Sequence, residues 1–167
     1  SDCLFDGNET TEGDSAGGGL FLEGCTVDGD DNVFDANRSR AGGGAWFNSG
    51  ITITDGQLTG WTFDGNLADV APDSSTNNYA GALFINGSLI RLADCDFTSN
   101  ASDGYCGGLF FNNTSNCSVQ QCVFTGNTAM LTAGAMYIDD SPGVVIQDCT
   151  FQQNVAANYS GAIHLWN

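Results

Sequence analysis

Apolar and polar residues alternate along the chain in short runs of three to six, and no stretch carries the period of an amphipathic helix. The runs fall into a repeating order. A Phe followed three residues later by Asn occurs at Phe5/Asn8, Phe34/Asn37, Phe63/Asn66, Phe97/Asn100, Phe124/Asn127 and Phe151/Asn154, with successive Phe 29, 29, 34, 27 and 27 residues apart. Between these copies lies a second motif, a glycine, a small residue and three mostly apolar positions. It reads Gly18 to Leu22, Gly44 to Asn48, Gly81 to Ile85, Gly107 to Phe111, Gly134 to Ile138 and Gly161 to Leu165. A weaker alternating run precedes the Phe at Ile51–Thr54, Leu89–Leu92, Cys117–Val119 and Val144–Ile146. Gly, Asn, Asp and Ser bound every run, so each reads as a short strand ended by a turn.

Three strands and three turns in a unit of about 27 residues describe one coil of a parallel β-solenoid, in which each coil buries its apolar face against the next. The expected fold is therefore all-β, a single domain over residues 1–167 of about six coils, roughly 29 Å long at ~4.8 Å per coil. The 34-residue spacing is read as an inserted loop at about 68–79, which carries Pro72. Stacking turns each motif position into a file. Phe5, Phe34, Phe63, Phe97, Phe124 and Phe151 are expected as an internal aromatic stack, and Asn8, Asn37, Asn66, Asn100, Asn127 and Asn154 as an inward amide ladder. The series Phe21, Phe47, Phe84, Phe110, Tyr137 and His164 faces outward as an exposed stripe if Leu83 and Ile85 point inward. If the aromatics point inward instead, the glycines sit outside.

Composition narrows what such a rod can do. Three Lys plus Arg against twenty Asp plus Glu leave a formal charge of −17, and Arg38, Arg40 and Arg91 cannot build the positive patch that nucleic acid or anionic lipid needs. Hydrophobic residues at 41% are ample for a core, and no apolar run is long enough to span a bilayer. With neither an initiator Met nor a signal peptide, the chain reads as a mature or excised piece. Eight N-x-S/T sequons, at Asn8, Asn37, Asn86, Asn100, Asn112, Asn113, Asn116 and Asn158, exceed chance and point to a secreted glycoprotein. Since an inward amide cannot carry a sugar, N-linked glycans are expected at Asn86, Asn112 or Asn113, Asn116 and Asn158.

The alternation of F-x-x-N with a Gly-[Ala/Gly]-apolar motif over essentially all 167 residues resembles the polymorphic outer membrane protein repeat of chlamydial surface proteins and of extracellular proteins of algae and other protists. The resemblance implies a right-handed parallel β-helix in a surface or extracellular protein, used for adhesion or as a structural element. It supplies no catalytic residues.

Seven cysteines without a C-x-x-C pair read as disulfide candidates of an oxidising compartment. Cys3, Cys95, Cys122 and Cys149 stand two residues before a motif Phe and form a thiol file whose adjacent rungs are close enough to bridge. Three consecutive rungs make only one pair. Cys106 with Cys117 and Cys3 with Cys25 bracket glycine-motif strands, which leaves Cys95 or Cys149 over; buried unpaired thiols are the competing reading. Asp28, Asp30, Asp31, Asn32 and Asp35 form the densest acidic cluster, with Asp28, Asp30 and Asp31 the calcium candidate, but they lack the Gly and terminal Glu of an EF-hand loop, so a solvated turn is favoured. Catalysis by paired carboxylates with a base finds only His164, Arg38, Arg40 and Arg91, scattered over different coils, and no cofactor is expected.

Both chain ends are uncapped strands, so the chain is expected either to be cut from a longer helix or to stack head to tail. Together these readings favour a non-catalytic, glycosylated, structural or adhesive protein at the cell surface or outside the cell. Its expected partners are copies of itself, other surface or matrix proteins, or glycans. The alternative is a β-helix that binds or modifies carbohydrate.

Overall fold

The computed structural model describes residues 2–11, 16–69 and 78–167. All regular structure among them is parallel β. The motif phenylalanines sit at the centres of six three-residue strands, Leu4–Asp6, Val33–Asp35, Thr62–Asp64, Asp96–Thr98, Val123–Thr125 and Thr150–Gln152, which pair in that order with Phe directly over Phe. What keeps these strands short is a left-handed residue after each of them and, from the second strand onward, another before. Two residues after the Phe stand Gly7, Ala36, Gly65, Ser99, Gly126 and Gln153, all with φ between 52° and 65°; three residues before it stand Asp31, Gly60, Asp94, Gln121 and Asp148, with φ between 52° and 68°. Each reverses the chain and turns the coil.

A second sheet holds the glycine motif: Leu20–Leu22, Ala45–Phe47, Leu83–Asn86, Leu109–Asn112, Met136–Asp139 and Ile163–Trp166. A third joins Leu58–Thr59, Arg91–Ala93, Ser118–Gln120 and Val145–Gln147 before the Phe. One element was not read from the sequence. Two-residue strands follow the motif Asn at Arg38–Ser39, Leu67–Ala68, Ala101–Ser102, Thr128–Ala129 and Val155–Ala156. Two residues are too few for an alternating pattern to register, so the coil has four short strands where three were expected.

Two registers also differ from expectation. Ala45 pairs with Leu20 and Leu83, so the second glycine motif begins at Gly43 and Trp46, not Phe47, occupies the central position. The tripeptide Gly42-Gly43-Gly44 offers three starting points of equal quality, and only pairing decides among them. The run Ile51–Thr54 is likewise out of file. Thr52–Ile53 pairs with Thr26–Val27, whereas Leu58–Thr59 is the partner of Arg91–Ala93. A turn at 54–57, with Gly56 at φ 79° and its N–H on the Ile53 carbonyl, separates the two. Of the expected inserted loop at 68–79, residues 70–77 lie outside the described residues.

The main core fills the bore. It stacks the Phe strands on Leu83, Ile85, Leu109, Phe111, Met136 and Ile138 from the glycine sheet and on Leu92 and Val119 from the third. The first glycine of the motif is demanded by contact across coils. A Cβ at Gly107 would stand 2.5 Å from the Gly134 carbonyl oxygen and 2.6 Å from Thr128 backbone, well inside van der Waals distance.

Candidate functional site

Inside the bore the two motif files are complete. Consecutive Phe rings stack at 4.6–4.9 Å between centroids, within 9° of parallel. Each Asn donates through Nδ2 to the Oδ1 of the Asn in the next coil at 2.9–3.0 Å. From Asn37 onward it also donates to the carbonyl of the Phe one coil back, at 2.8–2.9 Å. Both amide hydrogens are thus occupied at the sequons Asn37 and Asn100, which are fully buried.

The outward-facing aromatics form the most distinctive surface feature. Leu83 and Ile85, with their equivalents, enter the bore, and the residue between them points outward, giving the file Phe21, Trp46, Phe84, Phe110, Tyr137 and His164. Phe21 at its first rung is exposed, but over its middle rungs the file faces outward without being an exposed stripe. Tyr79 lies flat on Phe84 at 4.7 Å and Tyr105 packs beside Phe110 at 6.2 Å. With Ala41, Ala80, Cys106 and Ala133 beneath, these rings make a second apolar cluster in which Phe84 and Phe110 are only 3% and 2% exposed. Outward and covered is a third outcome beside the two weighed above, and it requires large residues just before the small corner positions 80 and 106. Burial and the neighbouring Asp139 push the Tyr137 hydroxyl up to about 12. At the last coil the file meets its one base. The His164 ring sits 5.4 Å from Tyr137, 5.1 Å from Tyr159 and 6.4 Å from Trp166. Asp139, paired with Trp166, has its carboxyl raised by burial and by Asp140.

Two further files escaped the sequence reading. Asn112 donates to Asn86 at 2.8 Å, Asn86 to Asn48 at 2.9 Å and Asn48 to Glu23 at 2.9 Å, and Asp139 continues the row beside Asn112. The sequons Asn86 and Asn112 are therefore rungs of an outer amide file and only half exposed, whereas Asn113, Asn116 and Asn158 are exposed. The other missed file is Asp6, Asp35 and Asp64, paired rung on rung and exposed; the dipeptide Phe-Asp at three successive motif copies was its available signal.

The remaining candidates separate. Cys95, Cys122 and Cys149 do occupy consecutive rungs, but Asn32 and Trp61 fill the two between Cys3 and Cys95. Cys106 belongs to the outer cluster, where burial lifts its thiol to about 12, while Cys117 lies in the bore; the sheet stands between the pair. Cys25 packs against the main core and Cys3 is exposed. Asp28, Asp30 and Asp31 are exposed, and Asp30 accepts the Thr59 N–H at 3.2 Å. No three His, Cys, Asp or Glu side chains among the described residues converge as metal ligands. Arg38 pairs with Glu9 at 2.9 Å and with Asp69, and Arg91 stands on the third sheet, so neither approaches His164.

Six stacked, all-parallel coils around one apolar bore define a β-solenoid. The family described as right handed beta helix region matches residues 1–167, the entire chain, and the protein belongs to that family. No curated protein and no solved structure matches it. Among the described residues no helix is long and apolar enough to cross a membrane.

Proposed function

We propose that this chain is a non-catalytic structural or adhesive β-helix of the polymorphic outer membrane protein type, working at the cell surface or outside the cell. The observation that carries the reading is repetition. The Phe, Asn and outer aromatic files run through every coil, so the repeated side chains are spent on holding coils together and the lateral surface is regular. A regular surface suits repeated contacts with copies of the chain, with matrix proteins or with glycans. Apolar concavities of about 230 Å³, lined by Phe5, Leu20, Leu22 and Trp61, and of about 340 Å³, lined by Ile138, Val144, Ile146 and Leu165, would suit coil-to-coil stacking of copies of the chain. Glycans at Asn113, Asn116 or Asn158 and the charge of −17 would keep the sides soluble. Electron microscopy of the protein secreted from a eukaryotic host, with mass spectrometry of its sequon peptides, tests this. Assembled material bearing sugar supports the reading; unglycosylated, dispersed monomers that bind no cell surface overturn it.

The alternative, a β-helix that binds or modifies carbohydrate, draws on the group Tyr137, Asp139, Tyr159, His164 and Trp166, where ring faces adjoin a carboxyl of raised affinity for its proton. Binding of oligosaccharides in a glycan array, abolished in His164→Ala and Trp166→Ala, would favour it.

A further inference from the structure

The three consecutive cysteines use neither the aromatic nor the amide file, and they repeat one local geometry. Each thiol donates to the carbonyl two residues earlier: Cys95 to Ala93 at 3.2 Å, Cys122 to Gln120 at 3.2 Å and Cys149 to Gln147 at 3.3 Å. Equal geometry in paired coils sets the sulfurs in line, at the ~4.8 Å spacing of parallel strands and inside the Cα range that a disulfide spans. The rungs differ in two respects. Cys95 and Cys122 are fully buried, whereas Cys149 is partly exposed. The Cys95 N–H also reaches the Cys122 sulfur at 3.4 Å, while the Cys149 sulfur faces the Val119 carbonyl at 3.4 Å.

We propose that Cys149, Cys122 and Cys95 form a thiol relay, in which a low-molecular-weight disulfide such as glutathione disulfide reacts at accessible Cys149 and the bond is passed inward to rest between Cys95 and Cys122. In the first step Cys149 sulfur attacks the small disulfide, forming a mixed disulfide and releasing one small thiol with the Cys149 proton. Cys122 then attacks the Cys149 sulfur, releasing the second small thiol and forming Cys122–Cys149. Cys95 finally attacks the Cys122 sulfur, and its proton passes to the departing Cys149. The sum oxidises the two buried thiols, reduces one small disulfide to two thiols and returns Cys149 unchanged. A hydrogen bond with Cys95 lowers the Cys122 thiol, which suits Cys122 to attack the mixed disulfide, and raises that of Cys95, which makes the final transfer the slowest step. The resting bond would staple the fourth and fifth coils from within, out of direct contact with solvent reductants, which reach it only back through Cys149.

The reduced chain is mixed with glutathione disulfide, quenched in acid, alkylated and cleaved at Asp and aromatic residues for mass spectrometry. The unmodified chain should show Cys149–glutathione first, Cys122–Cys149 next and Cys95–Cys122 last, with Cys149 again alkylated. Cys149→Ser should slow formation of Cys95–Cys122 on the order of tenfold, and Cys95→Ser should halt at Cys122–Cys149. Melting of the reduced variants checks their folding, and the order of species in the unmodified chain is readable without them. Oxidation of Cys149→Ser at the unmodified rate, or an end state other than Cys95–Cys122, overturns the relay.

Discussion

Asn66, at the centre of the buried amide file, accepts the Asn37 N–H and Nδ2–H at 3.0 Å each and gives its own two hydrogens to Phe34 O at 2.8 Å and Asn100 Oδ1 at 2.9 Å. Truncation strands donors and acceptors that water cannot reach. Asn66→Ala should therefore cost roughly 3–4 kcal/mol, because unpaired buried polar groups cost about 1–3 kcal/mol apiece; the urea midpoint of the two chains measures it. Asp139 presents the opposite case. It continues the outer file as a carboxylate beside Asn112, and its carboxyl is raised by burial, then by Asp140, despite the favourable charge of His164. A carboxyl raised in the folded state lowers stability above its folded pKa, and that cost fades as pH falls through this value and is gone below the unfolded one. Asp139→Asn should thus stabilise the chain at pH 7 by about 0.5–1 kcal/mol, the worth of the amide hydrogen bond it can donate to Asn112. Thermal melts at pH 7 and pH 3 check this, the gain shrinking in acid.

At the level of the strand and its corners, backbone conformation and contact across coils both constrain the sequence. The corner after the Phe is left-handed in every coil, yet Ala36, Ser99 and Gln153 fill it where Gly7, Gly65 and Gly126 do elsewhere. Ala36→Gly should stabilise by a few tenths to about 1 kcal/mol, since an L side chain strains this region. The motif glycine behaves in reverse. Gly107→Ala leaves φ allowed but drives a Cβ against the carbonyl of the next coil, so it should lose cooperative melting in the coils that contain it. These two corners explain what was legible. The Phe and Asn files could be read because packing imposes identical residues at a fixed offset, ring on ring and amide on amide. The outer amide and acid files could not be read in the same way, because exposed rungs accept Asn, Asp, Thr or Glu alike, and mixed residues hide a common position. Trp46 was displaced by one residue for a related reason: three consecutive glycines satisfy the motif in any register.

Across the whole molecule, stacking multiplies charge as well as contact. Twenty acids face three arginines, and Asp6, Asp35 and Asp64 repeat along one exposed row with no cation interleaved in that row. Parallel, in-register stacking holds these carboxylates near the ~4.8 Å strand spacing, so each folded coil adds repulsion that the unfolded chain avoids. Arg38 relieves a different row, spanning Glu9 and Asp69. The middle rung, Asp35, feels both neighbours. Asp35→Asn should raise the melting temperature, by the equivalent of a few tenths to about 1 kcal/mol, more than the same change at the turn residue Asp55. Screening discriminates the cause, since the Debye length falls from about 10 Å at 0.1 M salt to about 3 Å at 1 M. The difference between the two substitutions should be largest in low salt and vanish near 1 M. A difference that persists in high salt would assign it to strand propensity instead of the file of like charges.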